Sequence, residues 1–178
     1  MRRVAETRIA MAYDEHIRSA VGQLARCAIV TLSDTRTEES DKSGRRIREL
    51  LEKEKHSIVH YQILPDEPKA LDSTLTALLN REDIDVILTS GGTGISRRDR
   101  TIDTIAKRLD TSLDGFGELF RMLSWQQIQS GAMLSRALAG ISSGKAIFAM
   151  PGSTAAVDLA MTQLILPQIK HILSELRK

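Results

Sequence analysis

Short apolar runs alternate with amphipathic stretches along this chain from about residue 26 onward. Four runs are apolar and β-rich: Cys27 to Leu32, Ile58 to Leu64, Ile84 to Thr89 and Ala146 to Met150. Near-continuous apolar strands belong to sheets covered on both faces, because a sheet with one wet face would alternate apolar and polar positions. Between the first two runs, Ile47, Leu50 and Leu51 recur at helical spacing while Arg45, Arg46, Arg48, Glu49 and Glu52 fill the rest. Side chains three and four residues apart share one side of a helix, so this segment predicts an amphipathic helix. Leu71, Thr74, Leu75, Leu78 and Leu79 repeat the pattern before the third run, and Phe116, Leu119, Phe120 and Leu123 repeat it in a long insert after it. The last stretch, Ala155 to Leu176, predicts a helix with a break near Pro167, whose ring removes a backbone donor and crowds the turn before it.

Strands that alternate with helices indicate a parallel sheet joined by crossover helices. The expected fold is therefore α/β: a three-layer, doubly wound, mostly parallel sheet between helices, formed by residues 26–178 as one domain. Residues 1–25 read as an N-terminal extension, and Ile17, Val21 and Leu24 are spaced for a short helix there.

Composition narrows the function classes. A chain of 178 residues is one ordinary domain and buries roughly 70% of its unfolded surface. Its 25 Lys and Arg are mixed with 23 Asp and Glu without a long basic block, which argues against nucleic acid as a partner. The single cysteine, Cys27, lies in an apolar run, so a buried side chain is expected, and the lack of any disulfide framework fits a reducing cytoplasm. Apolar stretches such as Leu164-Ile165-Leu166 fall short of the roughly 18 residues a spanning helix needs, so no membrane association is expected. Arg2, Arg3 and Arg8 are interrupted by Glu6, Asp14 and Glu15 with no secretory apolar region after them, so export is not expected.

In an open parallel sheet, ligands bind outside the carboxyl ends of the strands. The four exits read Thr31-Leu32-Ser33-Asp34, Leu64-Pro65-Asp66-Glu67, Thr89-Ser90-Gly91-Gly92-Thr93-Gly94 and Met150-Pro151-Gly152-Ser153-Thr154. Three glycines in four residues let backbone N–H groups converge without Cβ obstruction, which can cradle a phosphate. A plain glycine-rich turn explains the motif equally well on its own. No Gly-Lys-Ser/Thr closes it as a Walker loop, and Arg97 stands where a dinucleotide fingerprint needs its third glycine. Ser153 or Thr154 can cap the last helix. Asp66 between prolines and Asp99 near a helix start are, one by one, ordinary turn and helix-end residues. Together they put two carboxylates beside a phosphate cradle, where carboxylates would repel phosphate unless a cation such as Mg²⁺ lies between them. Arg97, Arg98 and Arg100 fit either phosphate neutralisation or a solvated face. His16, His56, His60 and His171 lack metal-ligand spacing, and Met122, Trp125 and Met133 read as core or interface.

The ordered set of Thr31-Leu32-Ser33-Asp34-Thr35-Arg36, Asp41-Lys42-Ser43-Gly44, Pro65-Asp66, the glycine turn, Arg98-Asp99, Gly115-Phe116-Gly117-Glu118-Leu119-Phe120-Arg121, Leu134-Ser135-Arg136-Ala137 and Met150-Pro151-Gly152-Ser153 resembles the molybdenum cofactor biosynthesis protein B and Mog family. The resemblance covers about residues 26–175. It implies a molybdopterin adenylyltransferase, in which the terminal phosphate of molybdopterin attacks the α-phosphorus of ATP, with Mg²⁺ as cofactor. It further implies that Asp66 and Asp99 are the catalytic, metal-holding pair, and that the turn from Thr89 and Ser90 through Gly91, Gly92, Thr93 and Gly94 cradles pterin and nucleotide phosphates. Ser33, Asp34, Glu118, Ser135, Pro151, Gly152 and Ser153 match pocket positions. Family members form trimers or hexamers, and other enzymes of the pathway are possible partners. The chain departs from the family where Thr101-Ile102-Asp103 replaces a Thr-Pro-Glu-like helix start and where Gln129 replaces an expected glycine. Two other readings compete: a non-catalytic molybdopterin-binding or scaffold protein of the same pathway, and a nicotinamide or flavin oxidoreductase, which the missing third glycine disfavours.

Overall fold

The computed structural model describes residues 22–178. The helix expected within residues 1–25 falls outside that range except for Leu24, which is half exposed ahead of the first strand.

Six strands form one sheet in the order β2-β1-β3-β6-β5-β4. β1 (Arg26–Leu32), β2 (Ser57–Leu64), β3 (Val86–Ser90) and β6 (Lys145–Met150) are mutually parallel. They are the four apolar runs of the sequence, with β3 beginning two residues later than the expected Ile84, although the Asp85 backbone still bonds Arg26 O and Ala146 N–H on either side. Two strands were not expected. β4 (Thr111–Ser112) and β5 (Leu138–Ser142) extend the sheet antiparallel beyond β6. Their composition hides them, since β4 has two residues and β5 contains Ala139 and Gly140, both poor strand formers.

Helices cover both faces. On one side lie α1 (Lys42–Lys53), α4 (Asp114–Ile128) and the C-terminal α5 (Thr154–Ala160) and α6 (Leu166–Leu176). Ile47, Leu51, Phe120, Val157 and Ile169 pack there against Ile29, Leu88 and Phe148. On the other side α2 (Pro68–Leu79) and α3 (Thr101–Ala106) bring Leu71, Leu75, Leu78 and Ile105 onto Val30, Ile87 and Ile147. The strands are apolar on both faces because both faces meet a core. Cys27 is fully buried in it, and burial pushes its thiol up to about 12, so it stays protonated.

A π-turn over Met161–Ile165 separates α5 from α6, and Leu166 N–H donates to Met161 O within it. Pro167 lies in the first turn of α6, so the widened turn accommodates the missing donor and the ring. Of the expected apolar stripe in the long insert, Phe116 and Phe120 are buried, whereas Leu119 is 46% exposed. Met122, Trp125 and Met133 are 54%, 54% and 80% exposed, which removes them from the core. α4 turns its Phe116–Phe120–Ser124 side inward, leaving Met122 and Trp125 on the opposite side of a 3.6-residue helix. No helix among the described residues is long and apolar enough to cross a membrane.

Candidate active site at the carboxyl edge of the sheet

After β3 the backbone turns through Gly91 at φ +100° and Gly92 at φ +60°, a region that L side chains avoid. Space gives the same requirement as conformation. A Cβ at residue 91 would strike the Leu32 carbonyl oxygen, and one at residue 92 would strike the Thr101 hydroxyl and the Asp66 carboxylate. A Cβ at residue 94 would stand 2.7 Å from Asp99 Oδ2. The turn is fixed by Gly91 N–H donating to Met150 O (3.1 Å) and Thr101 N–H donating to Gly92 O (3.0 Å). Gly152 packs directly on it, since a Cβ there would lie 3.1 Å from Gly91 Cα. The β3 and β6 exits are thus in contact, and Ser153 Oγ caps α5 by accepting from Ala156 N–H.

Two aspartates far apart in sequence flank this turn. Asp66, just beyond β2, donates its backbone N–H to Asp34 Oδ1 (3.1 Å), and Asp34 is paired with Arg98. Asp99 Oδ2 accepts from Ser96 N–H at 2.9 Å. Their acidities move in opposite directions. Burial, followed by the neighbouring charges of Asp99 and Asp34, holds Asp66 above the usual carboxylate range despite Arg98. The Ser96 hydroxyl, outweighing desolvation and helped by the Ser96 and Gly94 amides and Arg136, holds Asp99 below it. Like charges shift one another only at short range, so Asp34, Asp66 and Asp99 form one patch of negative potential against the glycine turn.

The remaining exit is built around a buried carboxylate. Asp41 caps α1 and is fully inaccessible. It accepts from Thr31 Oγ1 (2.6 Å), Tyr61 OH (2.7 Å) and Gly44 N–H (3.0 Å), and pairs with Arg36. Burial alone would raise its pKa, but the Thr31, Gly44 and Tyr61 donors and Arg36 together hold it below the usual range. Tyr61 is driven the other way, by burial and then by Asp41. Arg36 Nη2 and Ser43 Oγ both donate to Gly152 O, at 2.8 and 2.6 Å. This arginine therefore ties the β1 exit, the start of α1 and the β6 exit together. Beside it a groove of about 530 Å³ opens between Ser33, Asp34, Arg36, Tyr61 and Pro65.

Among the described residues no three His, Cys, Asp or Glu side chains form a ready-made metal cage. Magnesium does not need one: it keeps its waters and is held by one or two carboxylates together with substrate phosphates. The donor set fits that use. Asp66 and Asp99 border a turn whose missing Cβ atoms let both carboxylates approach its backbone, and Thr101 Oγ1, buried beside Asp66 and Gly92, has no hydrogen-bond partner.

A family model described as "Probable molybdopterin binding domain" matches residues 28–171. The chain belongs to this family. It is 49% identical over 169 residues to the molybdenum cofactor biosynthesis protein B of Halalkalibacterium halodurans, covering 94% of this chain and 99% of that protein. Identity to the Bacillus subtilis protein of the same description is 45%, with the same coverage. A crystal structure of a molybdenum cofactor biosynthesis protein B, 50% identical, matches with a TM-score of 0.85 over 87% of this chain and 97% of that one. The tungsten cofactor synthesizing protein MoaB from Pyrococcus furiosus, 35% identical, matches at 0.76 over 89% and 100%. The fold is accordingly that of these solved structures.

The sequence candidates divide into three groups in space. Asp66, Asp99, Asp34, Gly91, Gly92, Gly94 and Gly152 converge on one edge of the sheet, with Ser33 on the groove beside them. Thr89 and Ser90 are fully buried in β3, where Thr89 Oγ1 donates to Phe148 O and Ser90 Oγ lies 3.5 Å from Thr31 Oγ1, so their side chains shape the turn from beneath. Thr93 is buried beside them, while Pro151 and Ser153 continue the β6 exit. Glu118 lies on α4 and is exposed, and Ser135 follows the 3₁₀ turn Gln129–Leu134, next to Arg136. Arg98 and Arg100 are paired with Asp34 and Asp103, and Arg97 is exposed.

Three contributors were missed. Arg36, Asp41 and Arg136 all stand in the motif strings, but only neighbours of theirs were singled out. Arg136 donates to Gly94 O (3.2 Å) and Asp103 Oδ1 (2.9 Å), which carries the β5 end of the long insert onto the glycine turn. An isolated arginine with no flanking glycine or proline gives no local signal of such a long-range contact.

Proposed function

We propose that the chain acts in molybdenum cofactor biosynthesis as a molybdopterin adenylyltransferase, transferring AMP from Mg-ATP to the terminal phosphate of molybdopterin. The observation that carries this reading is the placement of Asp66 beside Gly92 and Asp99 beside Gly94 on one glycine turn. Two carboxylates beside a phosphate cradle make electrostatic sense only with a cation, and Asp66 and Asp99 would hold Mg²⁺, which supplies neutralisation of the phosphate charge. The Gly92 and Thr93 amides and the Ser153-capped turn bind phosphate oxygens at two touching exits. Arg36 and Ser43 fix the second exit by its Gly152 carbonyl. The new bond joins a molybdopterin phosphate oxygen to the α-phosphorus, and the bond to the β-phosphate breaks as pyrophosphate leaves. No protein nucleophile is required: positioning two anions and neutralising their repulsion provides the acceleration.

The same reading includes self-association as a trimer or hexamer. Leu119, Met122, Trp125 and Ile128 are exposed on α4, an apolar surface that suits a second copy of the chain. Expression in the cytoplasm, with its nucleotide supply, belongs to the proposal. Incubation with molybdopterin and Mg-ATP tests it: pyrophosphate and adenylylated molybdopterin are expected in equal amounts. Tight molybdopterin binding without Mg-ATP binding would instead support the non-catalytic scaffold.

A further inference from the structure

Thr101 opens α3, and its backbone N–H is bonded to Gly92 O at 3.0 Å. The residue is 2% exposed, and its hydroxyl oxygen makes no hydrogen bond. A buried hydroxyl without a partner is unfavourable, and native structures retain few of them. Threonines at helix starts ordinarily use the hydroxyl to cap or to bond a nearby carbonyl, and this one does neither. Its surroundings identify the group it serves. The two atoms nearest a Cβ built on Gly92 are Thr101 Oγ1 and Asp66 Oδ1, so the hydroxyl and the carboxylate border the same small space.

We propose that Thr101 is a positioning residue for Asp66: its hydroxyl donates to the Asp66 carboxylate when that carboxylate turns to hold the metal-bound nucleotide. The inference rests on the adenylyl-transfer reading. The hydroxyl stands near the carboxylate, with the absent side chain of Gly92 leaving room for the small rotation that joins them. Once joined, one Asp66 oxygen is fixed and the other is presented to the cation. The residue acts through Asp66 and makes no contact with substrate.

This arrangement makes an unusual pair of predictions. Thr101→Val keeps the shape and removes the hydroxyl, so the metal-free protein should melt at the same temperature or higher, because an unsatisfied polar atom is gone. The Mg²⁺ concentration that half-saturates ATP binding, followed by calorimetry at fixed ATP, should rise by about tenfold or more, the loss of one hydrogen bond to a charged group. Thr101→Ser should restore it. A lowered melting temperature for Thr101→Val, or an unchanged Mg²⁺ requirement with ATP still bound by the wild type, overturns the positioning role while leaving the adenylyl-transfer reading standing. If the wild type itself binds no Mg-ATP, that reading falls and this inference with it.

Discussion

Asp66 and Asp99 reach the glycine turn from different strand exits, and their opposite acidity shifts give them separable parts. The Ser96 hydroxyl, with the Ser96 and Gly94 amides and Arg136, holds Asp99 below the usual carboxylate range; burial and its acidic neighbours hold Asp66 above it. Asp66→Asn or Asp99→Asn should fold normally yet lose at least 100-fold in pyrophosphate release, a conservative figure for removing charge stabilisation at a phosphoryl centre. Unchanged turnover in both would remove the mechanism. A second residue-scale prediction concerns Asp85, which accepts from the Arg26 backbone and guanidinium and from Arg177. Burial would raise it, but the Arg26 bonds and Arg177 hold it at about 2. A folded pKa below the unfolded value of about 3.9 contributes stability above pH 4, about 2 kcal/mol here, which is lost as pH falls through 2. Thermal melts of Asp85→Asn should lie below wild type at pH 7 and converge with it toward pH 2.

At the scale of elements, the start of α1 is the joint between fold and site. Asp41→Ala removes the cap and leaves Thr31, Tyr61 and Arg36 without their shared acceptor. A loss of about 3 kcal/mol is expected, readable as a drop of roughly 10 °C in Tm. α4 ends at Gln129, whose φ of +50° and ψ of −130° suit glycine. This is the position where the family resemblance leads one to expect glycine, and Gln129→Gly should raise stability by about 1 kcal/mol in chemical denaturation. The parallel strands and their helices were legible because burial on both faces writes an apolar run that no loop imitates. β4 and β5 were not, since a two-residue strand and one carrying Gly140 depend on their neighbours for pairing. The glycines, Asp66 and Asp99 were legible because turn chemistry marks strand exits. Arg36, Arg136 and Thr101 were hidden because their roles arise from contacts across the fold, with no periodicity to announce them.

For the whole molecule, the four parallel strand ends converge on one edge, and that edge gathers negative side chains and open backbone amides in a single place. The exposed apolar residues of α4 belong to the same long insert whose Arg136 touches the glycine turn. Trp125→Glu should shift sedimentation from an oligomer to a monomer, and a monomeric wild type would contradict self-association. The most direct measurement is a crystal structure with Mg²⁺ and a non-cleavable ATP analogue. The account predicts one metal, at about 2.1 Å from oxygens of Asp66 and Asp99, with phosphates on the Gly92 and Thr93 amides. A nucleotide bound elsewhere, with both carboxylates free of metal, would contradict it.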